Sequence, residues 1–128
     1  MYRNIIYIDN RLYRCFTKEG TKVENKYRDY ALFMKALSDE TRVKIFHMLS
    51  QGELCACNIL DEFNITQPTL SYHMKILSES GLVHSRRDGI WMKYTINKDS
   101  LEILNEFLND IAISLKNPNK CFECPEKC

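Results

Sequence analysis

Between residues 66 and 96 the hydrophobic period changes once, and that change restricts the fold more than any other feature of the chain. Leu70, Met74 and Leu77 recur at helical spacing. Beyond Gly81 the spacing drops to two, with Ile90, Met92, Tyr94 and Ile96 alternating with Trp91, Lys93 and Thr95. Asp88-Gly89 separates this second run from Leu82-Val83-His84-Ser85-Arg86-Arg87, and Asp-Gly between strand-like runs favours a tight hairpin. Thr66 stands where a helix cap belongs, and Pro68 falls in the first turn, where its missing N–H costs little. On the outer side of that helix lie Gln67, Thr69, Ser71, Tyr72, His73 and Lys75. A helix with a polar outer face followed directly by a basic hairpin is the expectation for this segment.

Upstream, the helical period begins at Tyr27, and Tyr30, Ala31, Met34 and Leu37 continue one face. Ser38-Asp39 supplies the cap of a second helix, whose buried side is expected at Val43, Phe46 and Leu49, with Ile45 and Met48 beside them. Gln51-Gly52 ends it. Glu53 to Phe63 reads as a third helix, separated by Asn64-Ile65 from the fourth at Thr66. Downstream, Leu101, Leu104, Leu108, Ile111 and Leu115 form the stripe of a last helix that Asn117-Pro118 stops. Ile103, Phe107 and Ile113 lie off that stripe, so a second packing surface, a homodimer interface, is expected.

The fold class that follows is mainly α with a small β-hairpin, a winged helix-turn-helix of order α-α-α-α-β-β-α, homodimeric. Residues 1–26 are expected to be an N-terminal arm, either a short hairpin or a segment ordered by a partner subunit. Residues 27–116 form the DNA-binding and dimerisation domain, and residues 117–128 a cysteine-rich tail. No apolar run approaches the roughly 18–20 residues of a membrane span, and the apolar run at the N-terminus is too short for a signal peptide. The expected location is the cytoplasm, with no membrane partner.

Net charge is only +1, but its distribution is uneven. Residues 64–98 carry five Lys/Arg against two Asp/Glu, whereas residues 99–128 carry three against six. Residues 1–30 carry seven against four, so the excess of cations falls on the N-terminal arm and on the fourth helix and hairpin, where a face for double-stranded DNA needs it. Gln67, Thr69, Ser71, Tyr72 and His73 are the candidate contacts to base edges or phosphates from a helix in the major groove. Lys75, Arg86, Arg87 and Lys93 are the candidate phosphate contacts, with the arginines in reach of a minor groove. Trp91 reads as wing packing, and His47 and His84 as structural or solvent-facing.

Six cysteines are many for a small cytosolic chain, and reduced clustered thiols point to metal binding or redox chemistry rather than to structural disulfides. They fall as Cys15, as the pair Cys55 and Cys57, and as Cys121, Cys124 and Cys128 in the tail. Thiolates select soft ions over Mg²⁺ or Ca²⁺. Near a helix start the dipole and free N–H groups favour the thiolate form of Cys55 and Cys57. On a regular helix, residues two apart point about 200° away from each other. Capture of one ion by both sulfurs is therefore expected to unwind the first turn of the third helix and shift the fourth.

The stretches Ala36-Leu37-Ser38-Asp39-Glu40-Thr41-Arg42-Val43-Lys44-Ile45, Glu53-Leu54-Cys55-Ala56-Cys57, Gln67-Pro68-Thr69-Leu70-Ser71-Tyr72-His73 and Ser80-Gly81-Leu82-Val83 resemble the ArsR/SmtB family of bacterial and archaeal metal sensors, in the arsenical-resistance branch. The resemblance covers roughly residues 27–116. It implies a homodimeric repressor on an operator that is an inverted repeat, released when As(III) or Sb(III) binds. The resemblance also implies a three-thiolate set for As(III). The best-known arsenic sensors carry a third cysteine where this chain has Leu60, so the tail cysteines, or Cys15 as in the cadmium branch, are the candidates to complete the site. The zinc site between the last helices lacks its histidines here, since residues 98–118 contain none.

Two other readings stand beside this one. The first is a Cd(II), Pb(II) or Zn(II) sensor using thiolates. The second is a thiol redox sensor, in which a disulfide through the tail or between subunits is favoured over the strained ring of residues two apart. An enzyme is not expected: the cysteine pair has no His and carboxylate relay, and four glycines form no phosphate-binding loop.

Overall fold

Asp39 marks the joint at which the first two helices of the domain meet. The computed structural model describes residues 22–116. Helix α1 spans Lys22–Ala36 and α2 spans Glu40–Leu49. Asp39, in extended conformation, caps α2 by accepting the Arg42 N–H at 3.1 Å. α1 begins five residues before the helical period at Tyr27, and its inward residues are Phe33 and Ala36. Tyr27, Ala31 and Met34, expected inward, are exposed. Apolar residues occur on most sides of this helix, so packing chooses the stripe. The choice falls on the side that meets α5, where Tyr30 stacks on Phe107 at 4.3 Å between ring centroids.

The α2 face is also rotated from expectation. Ile45 and Leu49 are buried, Val43 is 47% exposed, and Arg42 takes the inward position beside Ile45. A guanidinium is tolerated there because Arg42 Nε donates to the Ala36 carbonyl at 2.6 Å. Ser50 ends the helix, and Gly52 follows with φ +138°.

The expected third helix, Glu53 to Phe63, resolves into two elements. Leu54–Cys55 is a two-residue strand, β1, and only Ala56–Asp61 is helical, α3. Thr66 caps α4, Gln67–Glu79, with Pro68 in its first turn and Leu70, Met74 and Leu77 buried as the period requires. The chain then turns at Gly81, φ +87°, into β2, Val83–Asp88, and β3, Trp91–Ile96. Asp88 pairs with Trp91, so Gly89 and Ile90 form the two-residue turn, and Gly89 takes φ +63°.

β1 adds to the outer edge of β3, giving a three-stranded antiparallel sheet of order β1-β3-β2 in place of the hairpin alone. On β3 the expected alternation places Tyr94 in the core with Met92 and Ile96 packed against it, while Ile90 is 86% exposed at the turn. Burial raises the Tyr94 phenol above its usual range.

Helix α5, Lys98–Lys116, follows Asn97. Asn97 Nδ2 donates to the Gly81 carbonyl at 2.9 Å, and its Oδ1 accepts from the N–H groups of Asp99 and Ser100. One side chain thus joins the exit of α4 to the start of α5. Of the α5 stripe only Leu104 is buried; Leu101, Leu108, Ile111 and Leu115 are exposed, as are Ile103 and Ile113. No helix among the described residues is long and apolar enough to cross a membrane.

Candidate nucleic-acid interface and thiol site

The polar face of α4 emerges much as its sequence predicts. Gln67, Thr69, Ser71, Tyr72 and Lys75 are exposed, Tyr72 to 61%. Thr66 Oγ1 and Thr69 Oγ1 lie 2.9 Å apart, so the first turn holds two hydroxyls together at the helix start. Lys75 pairs along the helix with Glu79 at 3.8 Å.

His73 departs from expectation. It is 9% exposed, turned inward beside Met74 rather than outward. Its Nδ1 lies 3.4 Å from Arg42 Nη1 and 3.8 Å from Asp39 Oδ1. The buried arginine that holds α1 to α2 therefore also meets the fourth helix. The Arg42 N–H holds the Asp39 carboxyl below its ordinary range, and the charges on His73 and Arg42 act in the same direction. Sequence reasoning missed this cluster because His73 lies 31 residues from Arg42, and a polar residue on a buried face gives no apolar signal of its own.

In the wing, Arg86, Arg87 and His84 are exposed on β2, and Lys93 is partly buried on β3. Arg86 and Lys93 face each other across the two strands. Arg86 Nη2 donates to both oxygens of Glu53, at 2.9 and 3.1 Å. Lys93 Nζ lies 2.8 Å from Asp88 Oδ2, and this hydrogen bond lowers the Asp88 carboxyl below its usual range. Glu53 opens the stretch that holds Cys55 and Cys57, but its pairing was not legible in the sequence, because its partners are 33 and 40 residues away. Trp91 is half exposed on the outer face of the sheet rather than packed into it.

Cys55 and Cys57 come together, but not on a helix. Cys55 has extended backbone, φ −81° and ψ 158°, and is the N-cap of α3. Its Sγ accepts the Asn58 N–H at 3.4 Å, while its own N–H donates to Asn58 Oδ1 at 3.2 Å, a reciprocal capping box with sulfur as the acceptor. With Cys55 outside the helix, the 200° separation does not apply. The two sulfurs are bonded to each other across a Cα–Cα distance of 5.3 Å. Two expectations are corrected by this geometry. The sulfurs converge with no helical turn unwound, and the ring of residues two apart closes within one chain.

Two cysteine sulfurs are, in their reduced form, donors of the kind that suits a soft ion. Among the described residues no group of three or more His, Cys, Asp or Glu could hold a metal, so no third donor of these kinds stands beside the two sulfurs. Cys15, Cys121, Cys124 and Cys128, and the expected N-terminal hairpin, lie outside the described residues.

Comparison with known proteins agrees with this architecture. The family described as bacterial regulatory protein, arsR family, matches residues 39–85. The arsenical resistance operon repressor of Staphylococcus xylosus is 42% identical over 88 residues, covering 69% of this chain and 85% of the relative. A cadmium resistance transcriptional regulatory protein CadC homolog of Staphylococcus aureus is 37% identical over 79 residues, covering 61% of this chain and 65% of the relative. Among solved structures, an ArsR-like transcriptional regulator from Rhodococcus sp. RHA1 superposes with TM-score 0.63 at 24% identity, over 73% of this chain and 89% of the other. With a polar helix set beside a basic wing and relatives of this identity and coverage, the chain belongs to the arsR family of bacterial regulatory proteins, and is a DNA-binding transcriptional regulator rather than an enzyme.

Proposed function

We propose that this protein is a cytoplasmic, homodimeric repressor of an arsenical-resistance operon, and that it leaves its operator when As(III) or Sb(III) is captured by the thiolates of Cys55 and Cys57. The observation that carries the reading is the convergence of both sulfurs at the start of α3, which packs on α4 and on β3. The Staphylococcus xylosus relative supports the choice of ion.

In this reading α4 enters the major groove with Gln67, Thr69, Ser71 and Tyr72 at base edges. Lys75, Arg86, Arg87 and Lys93 meet phosphates. His73 holds the helix in place instead of reading bases. The exposed row Leu101, Leu108, Ile111 and Leu115 on α5 packs against a second copy, which sets two readers on an inverted repeat. A third thiolate from Cys15, Cys121, Cys124 or Cys128 completes the set around the ion. The Cys55 sulfur that caps Asn58 is then engaged as a ligand, so the cap of α3 weakens and α3 shifts against its neighbours.

The test is operator release measured by fluorescence anisotropy on the full chain. Arsenite is expected to lower wild-type affinity by tenfold or more, within the usual range of allosteric coupling. The double variant Cys55→Ser, Cys57→Ser is expected to stay bound. Release of that variant at the same arsenite concentration overturns the reading.

Two alternatives have specific support. The cadmium-resistance relative favours Cd(II), with Pb(II) and Zn(II) beside it, at the same thiolates. The sulfur–sulfur bond favours redox sensing, in which a peroxide takes two electrons from the two thiols and is reduced to water. Release by cadmium alone selects the first, and release by peroxide but not arsenite the second.

A further inference from the structure

Glu53 has been given no function so far, yet it joins the thiol pair to the wing. Cys55 on β1 stands in register with Lys93 on β3, and Lys93 with Arg86 on β2. In-register neighbours in a sheet share a face, so the thiol and two of the wing's cations form one row across three strands. Glu53, immediately before β1, reaches along that row. Its carboxylate takes both hydrogen bonds from Arg86 and lies 3.9 Å from Lys93 Nζ. Asp88 lies opposite, 2.8 Å from Lys93 and 4.0 Å from Arg86. Two carboxylates thereby neutralise two of the wing's three Lys and Arg side chains, and of these three only Arg87 has no ion pair among the described residues.

We propose that Glu53 is a positioning residue that competes with DNA phosphate for Arg86 and Lys93, and that the thiol pair governs this competition through the two-residue strand between them. The proposal rests on the reading above for the wing's contact with DNA and for the inducer. A phosphate and the Glu53 carboxylate seek the same guanidinium edge. β1 is only two residues long and carries Cys55, so any rearrangement of the sulfurs is passed to Glu53 with little slack. The wing, and not only the reading helix, then reports the state of the thiols.

The variant Glu53→Gln keeps the length of the side chain and removes its charge. Glu53 is exposed, so the variant is expected to fold as the wild type does. Operator affinity of the reduced full-length protein, measured across a salt series without inducer, should rise about two- to fivefold, the usual range for an exposed ion pair. Its salt dependence should steepen by about one released counterion. In an Arg86→Ala background the gain from Glu53→Gln should shrink below twofold, an outcome that a merely structural role for Glu53 does not produce. Unchanged affinity and slope, or an undiminished gain without Arg86, overturns the competition.

With arsenite added, wild-type affinity should fall by a larger factor than that of Glu53→Gln. Equal factors overturn the link to the thiols. If arsenite releases neither protein, the inducer reading and the link fail together, while the inducer-free salt series still decides whether Glu53 competes for Arg86.

Discussion

The reading helix and the wing are fixed to the same core by opposite means. α4 is held by burial: Leu70, Met74 and Leu77 lose nearly all solvent contact, and His73 is pinned to the Arg42–Asp39 joint of the first two helices. Beyond Val83 and Tyr94 in the core, and Met92 and Ile96 packed half-buried against it, the wing is held by backbone pairing and by ion pairs among Glu53, Arg86, Asp88 and Lys93, in contact with water. Apolar burial is insensitive to salt and to small rearrangements nearby, whereas exposed ion pairs are worth little individually and exchange readily. The difference teaches which part can be stiff and which adjustable. On the function proposed above, the helix presents a fixed surface to the groove, and the wing's cations are available for redistribution.

The largest expected effect comes from the side held by burial. Leu77→Ala should lower unfolding free energy in urea by about 2–5 kcal/mol, whereas Ile90→Ala at the wing tip should change it by no more than about 0.5 kcal/mol. Comparable losses at the two positions would erase the contrast. Next in size is His73→Ala, expected to destabilise by about 1–3 kcal/mol because Arg42 Nη1 loses a buried partner. A base-reading role would instead leave the urea midpoint unchanged and weaken only operator binding.

A smaller effect belongs to Asp39→Ala, about 1 kcal/mol at neutral pH for the loss of a helix cap. Its pH dependence follows from the sign of the shift. The Asp39 carboxyl is lowered in the folded protein, so its contribution is complete above the ordinary carboxylate value of about 3.9 and is lost as pH falls through the lower folded value. The difference between wild type and Asp39→Ala should be level from pH 7 to about 5 and close at more acid pH. A difference that widened on acidification would contradict the assignment.

The parts of this fold that were legible in the sequence are those that a local rule specifies. Thr66 with Pro68 starts α4, the stripe of Leu70, Met74 and Leu77 gives its inner face, and Asp88-Gly89 marks the wing turn. β1 was not legible, because two residues have no period and their strand identity comes only from pairing with Tyr94 and Lys93. His73 was misplaced, and Arg42 went unremarked, for a related reason: a polar side chain enters a core only when a partner from another element awaits it, and spacing carries no word of that partner. Val43 shows the converse, an apolar residue left outside because Ile45 and Leu49 already fill the contact. At the thiol site the residues were evident but their geometry was not, since the helical pattern ran through Cys55 where the backbone remains extended.

Helix α3 has six residues and a single buried one, Ile59. Ala56 and Leu60 are only partly buried against the core, and the two sulfurs sit at the start of the helix, Cys55 on β1 and Cys57 in its first turn, so a short and lightly anchored element carries the pair. On the function proposed above, exchanging side chains at that edge alters what the sulfurs respond to while the buried contacts of α4, Leu70, Met74 and Leu77, stay as they are.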